Sequence, residues 1–273
     1  MTALAMERST VRPPSAAGLY YPKDADGLRR ALRTLLAGHT AAVTRLPKAL
    51  VVPHAGYAYS GTVAASAYHT LESAAAERIR HVVLLGPSHR VATRGLAMPS
   101  CDFFSTPVGE VRVNDEARRR LRELGLAGVD DAPHRVEHSL EVQLPFLQAV
   151  LGDFDLLPIA VGSGPAEQVC RALEAVWGGP DTLIVVSTDL SHYHTCVEAR
   201  TLDEVTARWI LARRSDISDA QACGVGGLNG LMEAARHKGL AVELLDRQTS
   251  GDATGEDARV VGYGSFALYE RAA

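Results

Sequence analysis

Three short apolar runs constrain the fold more than any other feature of this chain, because each one stops at proline, glycine or serine and leads to a histidine. The runs cover residues 50–52, 82–85 and 183–186, and the histidines that follow them are His54, His89 and His192. Short β-branched runs that stop in this way predict buried strands followed by loops. Ligands of open α/β sheets bind beyond the carboxyl ends of the strands. We therefore expect the three histidines to share one rim of a sheet.

Helical patterns alternate with these strands, as in the amphipathic segment 24–36. This rhythm predicts an α/β fold with a central mixed, largely parallel sheet that is flanked by helices. The chain of 273 residues contains no linker-like tract, so we expect one domain over residues 12–273. Residues 1–11 read as a flexible N-terminal lead.

Composition excludes several classes of function. The formal net charge is −4, and the one arginine-rich run, residues 118–122, falls within a helical pattern, so we expect no nucleic-acid partner. We find no apolar stretch of membrane-spanning length and no signal peptide. We therefore expect no membrane partner. The four cysteines form no C-x-x-C pair, which favours a reduced, cytoplasmic protein with free thiols.

The candidate chemistry centres on neutral imidazoles, since two of them at adjacent strand ends can bind one metal ion. Cys223 precedes a helical pattern, where the helix dipole favours a thiolate, although local sequence alone favours the other interpretation, a small buried residue in a glycine-rich helix cap. Asp189 is either a helix N-cap or a hydrogen-bond partner that orients His192. Glu137, next to His138, has the same two interpretations.

Four segments of the chain together carry a family resemblance. They are 53–57 (PHAGY), 85–89 (LGPSH), 137–146 (EHSLEVQLPF) and 186–192 (VSTDLSH), and they follow Arg12-Pro13 and the segment 17–22 (AGLYYP). In this order they resemble the Memo family, which includes the bacterial and archaeal proteins called AmmeMemoRadiSam system protein B. The resemblance extends from about Arg12 to Tyr269, which is nearly the whole chain.

The resemblance implies a fold similar to the class III extradiol dioxygenases, which use non-haem Fe(II). It implies that His54, His89 and Cys223 bind the metal, and that His138, Asp189 and His192 line the same cleft. The dioxygenases have a carboxylate where this chain has cysteine. The likeness to the dioxygenases makes Fe(II) the first expectation for the cofactor. Copper and zinc are alternatives, because a thiolate is a softer ligand than a carboxylate.

Two main functions follow from these residues. The first is a dioxygenase-like oxidoreductase that acts with O₂ on a small aromatic or peptide-linked substrate, with His192 as general acid/base and His138 as a hydrogen-bond donor. The second is a non-catalytic copper- or iron-binding or partner-binding protein, and a zinc hydrolase is a third reading. The resemblance also implies radical-SAM and AMMECR-type partners in a shared pathway, while the enzymatic activity and the substrate stay open.

Overall fold

The computed structural model describes residues 9–39, 45–72 and 78–270. Its strands are Val11–Arg12 (β1), Ala49–Val52 (β2), His81–Pro87 (β3), Leu96–Met98 (β4), Phe103–Thr106 (β5), Gly109–Val113 (β6), Gly128–Val129 (β7), Asp155–Val161 (β8), Thr182–Ser187 (β9), His192–His194 (β10), Ala241–Thr249 (β11) and Val260–Tyr269 (β12). Its helices are Ala25–Ala37 (α1), Tyr57–His69 (α2), Asp115–Glu123 (α3), Leu144–Val150 (α4), Ala166–Ala175 (α5), Cys196–Leu211 (α6), Val225–His237 (α7) and Ser250–Thr254 (α8).

One mixed sheet runs through the molecule in the order β1-β5-β6-β8-β3-β9-β2-β12-β10. Strands β6, β8, β3, β9 and β2 are mutually parallel. Antiparallel pairings join β5 to β6 and β2 to β12, and the short strand β4 also pairs antiparallel with β8. The predicted single α/β domain with a largely parallel central sheet is therefore confirmed. The three strands that precede the sequence-predicted histidines are neighbours, because β9 lies between β3 and β2.

The central strands read as continuous apolar runs because both of their faces are buried. In β9, Leu183 and Val185 pack into one core layer with helices α1, α2 and α4. Ile184 and Val186 face the opposite layer, which contains α3, α5, α6 and α7. Successive side chains of a strand point to opposite faces. Each of these buried side chains contributes about 1.5–3 kcal/mol relative to exposure.

Local sequence signals set the ends of the helices. The side chain of Asp24 caps α1 by accepting a hydrogen bond from the Gly27 N–H at 2.7 Å, as N-cap residues do. The segment that begins at His138 is not helical at its start. A short 3₁₀ turn over Glu141–Gln143 leads into α4, and Pro145 lies in the first turn of α4, where its missing N–H costs nothing.

The amino-terminal segment joins the fold earlier than a flexible lead over residues 1–11 implies. Residues 1–8 of that lead lie outside the described part of the chain. Thr10 donates its N–H to Asp102 at 2.8 Å, and Val11 pairs with Phe103 in the sheet. Within the described ranges, no helix combines the length and the apolar character that a membrane crossing requires.

Candidate metal centre

Three imidazoles meet at the carboxyl rim of the central strands. His54 lies two residues beyond β2 and His89 two residues beyond β3, while His138 comes from the segment before α4. The ring centroids are separated by 5.1 Å for His54 and His89, 5.4 Å for His54 and His138, and 5.0 Å for His89 and His138. One ring nitrogen from each lies within 4.8 Å of the others. Three nitrogen donors at this spacing can bind one metal ion.

The Nδ1 atom of His54 is hydrogen-bonded to a serine hydroxyl. It lies 2.9 Å from Ser187 Oγ, which donates its own proton to the Ser139 carbonyl at 2.7 Å. The serine hydroxyl has only one proton, so the bond to His54 must run from Nδ1–H to Ser187 Oγ. The lone pair of His54 is thereby fixed on Nε2, the atom that is free for a metal.

Glu137 fixes the tautomer of His89 in the same way. The His89 Nδ1–H donates to Glu137 Oε1 at 2.9 Å, which leaves Nε2 with the lone pair. The same carboxylate accepts the backbone N–H groups of His89, His138 and Ser139 at 2.6, 3.0 and 2.9 Å. A carboxylate behind a metal-binding imidazole orients the ring and raises its basicity.

The electrostatics favour uncharged imidazoles. Burial, followed by the charge of His89, lowers the pKa of His54 to about 3. Burial and the charge of His54 lower the pKa of His138 to about 4. Burial alone would raise the pKa of Glu137, but hydrogen bonds from His89 and from the Ser139 N–H outweigh it and hold that pKa at about 2. His54 and His138 therefore present neutral nitrogen ligands beside a fixed negative charge.

Cys223 contacts this cluster through His54, because its Sγ lies 3.3 Å from His54 Nε2. The thiol accepts the Asp189 N–H at 3.3 Å. Burial, and then the charge of Asp189, raise the pKa of Cys223 to about 12. These surroundings do not favour the thiolate expected at a helix amino terminus, since Cys223 lies before the Gly224 cap of α7 and is buried next to a carboxylate. A bound cation would deprotonate such a thiol.

Asp189 stabilises the loop after β2 by accepting a backbone hydrogen bond. Its Oδ1 accepts the His54 backbone N–H at 2.7 Å, and its Oδ2 lies 4.0 Å from His54 Nε2. Burial raises the pKa of Asp189, opposed by the hydrogen bond from His54 and the charge of His192. No helix begins at this residue, so the N-cap interpretation is wrong.

His192 lies in the same part of the rim but is oriented by a different group. Its charge acts on both His54 and Asp189. The His192 Nδ1–H donates to the Leu190 carbonyl at 2.8 Å, so the expectation that Asp189 orients His192 is wrong. The carbonyl two residues earlier is within reach of the ring, whereas the carboxylate is turned towards the loop of His54. His192 also begins β10, five residues beyond β9, and does not follow the strand directly.

Comparisons with known proteins bear on this arrangement. The family model described as Memo-like protein matches residues 12–267. The chain belongs to the Memo family. This Memo chain is 37% identical over 265 residues to a MEMO1 family protein of Aquifex aeolicus (strain VF5), an alignment that covers 93% of this chain and 97% of the relative. It is also 37% identical over 272 residues to a MEMO1 family protein of Methanococcoides burtonii, with coverage of 94% and 99%.

A solved structure resembles the Memo chain in fold. It is an uncharacterized protein, JW3007, from Escherichia coli K12, with a TM-score of 0.53 and 15% sequence identity. The match covers 82% of this chain and 100% of the other. At that identity the likeness supports the α/β architecture alone.

The sequence reasoning missed several supports of the Memo site. Ser187 and Gln143 form a buried hydrogen-bonded chain behind His54, in which Gln143 Nε2 donates to Ser187 Oγ at 2.8 Å. Tyr20 stacks on His138 with a centroid separation of 4.2 Å. Both Tyr20 and Gln143 belong to the segments that carry the Memo resemblance, which is the one signal that could have pointed to them. A cavity of about 370 Å³ borders the site and is lined by His89 and Cys223 among others.

Proposed function

We propose that this Memo protein is a metal-dependent redox enzyme in which His54 and His89 bind Fe(II), with Cys223 as the third ligand and His138 beside the open positions. The observation that carries the proposal is the fixed tautomer of the two histidines. Both Nδ1 atoms donate to Ser187 or Glu137, so both Nε2 lone pairs are free within one cluster. A purely structural histidine cluster has no need of this arrangement.

The donor set fits a first-row metal ion. Imidazole suits iron, copper and zinc. Compared with a carboxylate as the third ligand, the Cys223 sulfur shifts the preference towards copper or zinc. When bound, iron or copper would supply Lewis-acid and one-electron chemistry, whereas zinc would supply Lewis-acid chemistry alone. The cavity lined by His89 and Cys223 among others would hold a small aromatic or peptide-linked substrate together with O₂.

The side chains around the metal position would divide the remaining work. Glu137 and Ser187 hold the ligand rings, and Asp189 holds the loop that carries His54. His192 donates from Nδ1 to Leu190, which leaves Nε2 as a proton acceptor. His192 would therefore act as the general base, and His138 would hydrogen-bond the substrate.

Metal binding is tested by anaerobic purification, loading with Fe(II) and measurement of metal content. We expect one equivalent in the central site of the wild type and its loss in His54→Ala and in His89→Ala. His194→Ala is the matched control, because this histidine lies in β10 outside the cluster. Full metal content in either cluster variant would refute the proposed ligands.

The identity of the third ligand needs its own comparison. His138 offers a ring nitrogen within 4.8 Å of those of His54 and His89, whereas Cys223 contacts His54. Cys223→Ser should weaken Fe(II) binding and leave the fold intact, because the change is small. If His138→Ala loses the metal and Cys223→Ser keeps it, the ligand set is the three histidines.

Catalysis is tested by O₂ consumption with catechol-type and indole-type substrates. We expect His192→Ala to retain bound metal and to lose turnover by about 10²–10⁴-fold, the usual cost of removing a general base. Metal loss in that variant would make His192 a ligand. Unchanged turnover would remove it from the mechanism.

The pair of Cys223 Sγ and His54 Nε2 at 3.3 Å favours one alternative, a copper-binding protein without turnover, since sulfur and imidazole donors together suit copper. Full metal content with no O₂ consumption by the wild type would support that alternative.

The proposal also covers the setting of the protein. All four cysteines are free, which fits a cytoplasmic location, and we propose radical-SAM and AMMECR-type proteins as its pathway partners. Co-purification of a tagged chain from its native host, with the three cluster histidines intact or replaced, would test whether these partners bind and whether the site is required.

A further inference from the structure

A second group of metal-ligating side chains lies between helices α5 and α7, outside the cleft described above. Ligand atoms of Cys170, Glu174 and His237 all lie within 4.8 Å of one another. Cys170 and Glu174 are four residues apart on α5, so they share one face of that helix. His237 is the last residue of α7, about 20 Å along the helix from Cys223 at a rise of 1.5 Å per residue. The two groups are therefore separate.

Close packing of the two helices brings these side chains together. A Cβ atom at Gly230 of α7 would lie 2.3 Å from the Val169 Cβ and 3.1 Å from the Ala166 carbonyl. Only glycine permits this approach of α7 to α5. Cys170 is the next residue after Val169, and His237 lies two turns beyond Gly230. The contact at Gly230 thus places the two ligand-bearing faces opposite each other.

The distances fit a tetrahedral zinc ion. Cys170 Sγ lies 3.7 Å from His237 Nδ1. Zinc bonds of about 2.3 Å to sulfur and about 2.0–2.1 Å to nitrogen, at a tetrahedral angle, place those two atoms about 3.6 Å apart. Glu174 Oε1 lies 2.9 Å from the same His237 Nδ1, and an ion between them would widen that gap to about 3.4 Å. A small rotation of an exposed glutamate side chain provides this change.

The surrounding charges also suit a cation. The Cys170 side chain is buried, whereas His237 and Glu174 are 52% and 36% exposed, so an ion can enter from solvent. Burial, followed by the charges of Glu174 and Glu233, raises the pKa of Cys170 to about 11, and Arg236 opposes this rise. Glu233, which lies one turn before His237 on α7, adds a further negative charge near Cys170. The thiol thus lies among more negative than positive charge.

We propose that Cys170, Glu174 and His237 form a second, structural site for a zinc-class divalent ion that clamps α5 to α7. Sulfur, nitrogen and carboxylate oxygen are the ligands that zinc takes in proteins. The fourth position is open to water. This site is independent of the redox chemistry proposed for the central cleft.

The test uses the full chain with Cys223→Ser, so that the central thiol cannot contribute to the signal. Loaded with Co²⁺ as a spectroscopic substitute for zinc, this protein should show a thiolate-to-cobalt charge-transfer band. Addition of Cys170→Ser should abolish the band, while Cys101→Ser, which removes another buried free thiol, should leave it unchanged. Absence of the band in the Cys223→Ser protein, or its survival in the variant that also carries Cys170→Ser, would overturn the proposal.

A second measurement does not depend on the buried cysteine. His237→Ala changes a half-exposed side chain at a helix end, so the variant should fold. In the same Cys223→Ser background it should lose one equivalent of tightly bound Zn²⁺ and the rise in melting temperature that Zn²⁺ produces. Equal zinc content and equal stabilisation with and without His237 would show that the pair of His237 and Glu174 is an ordinary surface ion pair.

Discussion

At the scale of single residues, one buried carboxylate organises much of the candidate metal centre. Glu137 accepts hydrogen bonds from the His89 ring and from three backbone N–H groups, those of His89, His138 and Ser139. Two of the three clustered histidines therefore depend on it for their position. Charge-assisted bonds of this kind are stronger than neutral ones, which explains why the carboxylate stays ionised although it is buried.

Glu137→Gln should weaken metal binding without removing a ligand. The amide keeps the shape of the side chain but loses the charge that raises the basicity of His89, so we expect metal affinity to fall about 10–100-fold. Titration with Fe(II) against a competing chelator measures the change. Glu116→Gln, an exposed carboxylate in α3, is the control and should bind as the wild type does. Unaltered affinity in Glu137→Gln would mean that His89 is not a ligand.

At the scale of secondary-structure elements, the decisive contact is that of the α7 amino terminus with the carboxyl end of β9. A Cβ atom at Gly224 would lie 2.7 Å from the Ser187 carbonyl oxygen and 2.6 Å from the Thr188 Cβ. The Gly224 N–H donates to Thr188 Oγ1 at 2.9 Å. This close approach carries the adjacent Cys223 to His54. Neighbouring elements of the fold thus complete a site that no single element contains.

Gly224→Ala should separate α7 from β9. Overpacking of a close contact costs about 1–3 kcal/mol, and the shift should carry Cys223 away from His54. We expect a lower free energy of unfolding in denaturant titrations, and weaker metal binding if Cys223 is a ligand. Gly128→Ala is the matched control, because its added Cβ meets open space. A Gly224→Ala protein as stable as Gly128→Ala would contradict the close packing.

At the scale of the whole molecule, the amino-terminal segment is tied to the segment that carries His138. Arg12 Nη1 donates to Glu141 Oε2 at 2.6 Å, and both side chains are buried. Glu141 also accepts the Ser15 and Ala16 N–H groups and the Tyr21 hydroxyl. These bonds join residues that are 120 to 129 positions apart in the sequence, and they hold the segment that stacks Tyr20 on His138. The cleft depends on this long-range connection.

Glu141→Gln should destabilise the protein in a pH-dependent way. Removal of one partner of a buried ion pair costs about 3–5 kcal/mol. Burial would raise the pKa of Glu141, but Arg12 and the hydrogen bonds to Glu141 hold it below the ordinary value of 4.5. The folded state therefore binds the proton less readily than the unfolded state. The stabilisation by ionised Glu141 is complete above pH 4.5, and it is lost as the pH falls through the lower pKa that Glu141 has in the folded state.

Denaturant titrations of the wild type and Glu141→Gln at several pH values check this expectation. The difference in unfolding free energy should be largest at neutral pH and should shrink in acid. Asp26→Asn, which breaks an exposed ion pair with Arg29, should change stability by less than about 1 kcal/mol. A difference between wild type and Glu141→Gln that is constant with pH would exclude the ion pair as its source.

The apolar runs determined the strands, because a strand that is buried on both faces must be apolar at nearly every position. The same reasoning placed His54 and His89 at one rim, since parallel strands end at the same edge. The Memo resemblance as a whole implied that Cys223 and His138 lie near them. These inferences are local in the chain, or follow from the regular geometry of a parallel sheet.

Only the tertiary structure decided which groups act on one another. Nothing in the spacing of residues predicts that Asp189 serves His54 while Leu190 orients His192, because two acceptors one residue apart are separated only by the direction of the backbone. Ser187 sets the His54 tautomer because its hydroxyl donates its one proton to the backbone carbonyl of Ser139. Cys170 and His237 lie 67 residues apart and meet because glycine lets α7 pack closely on α5. Such contacts depend on packing distances, which the order of residues along a chain does not contain.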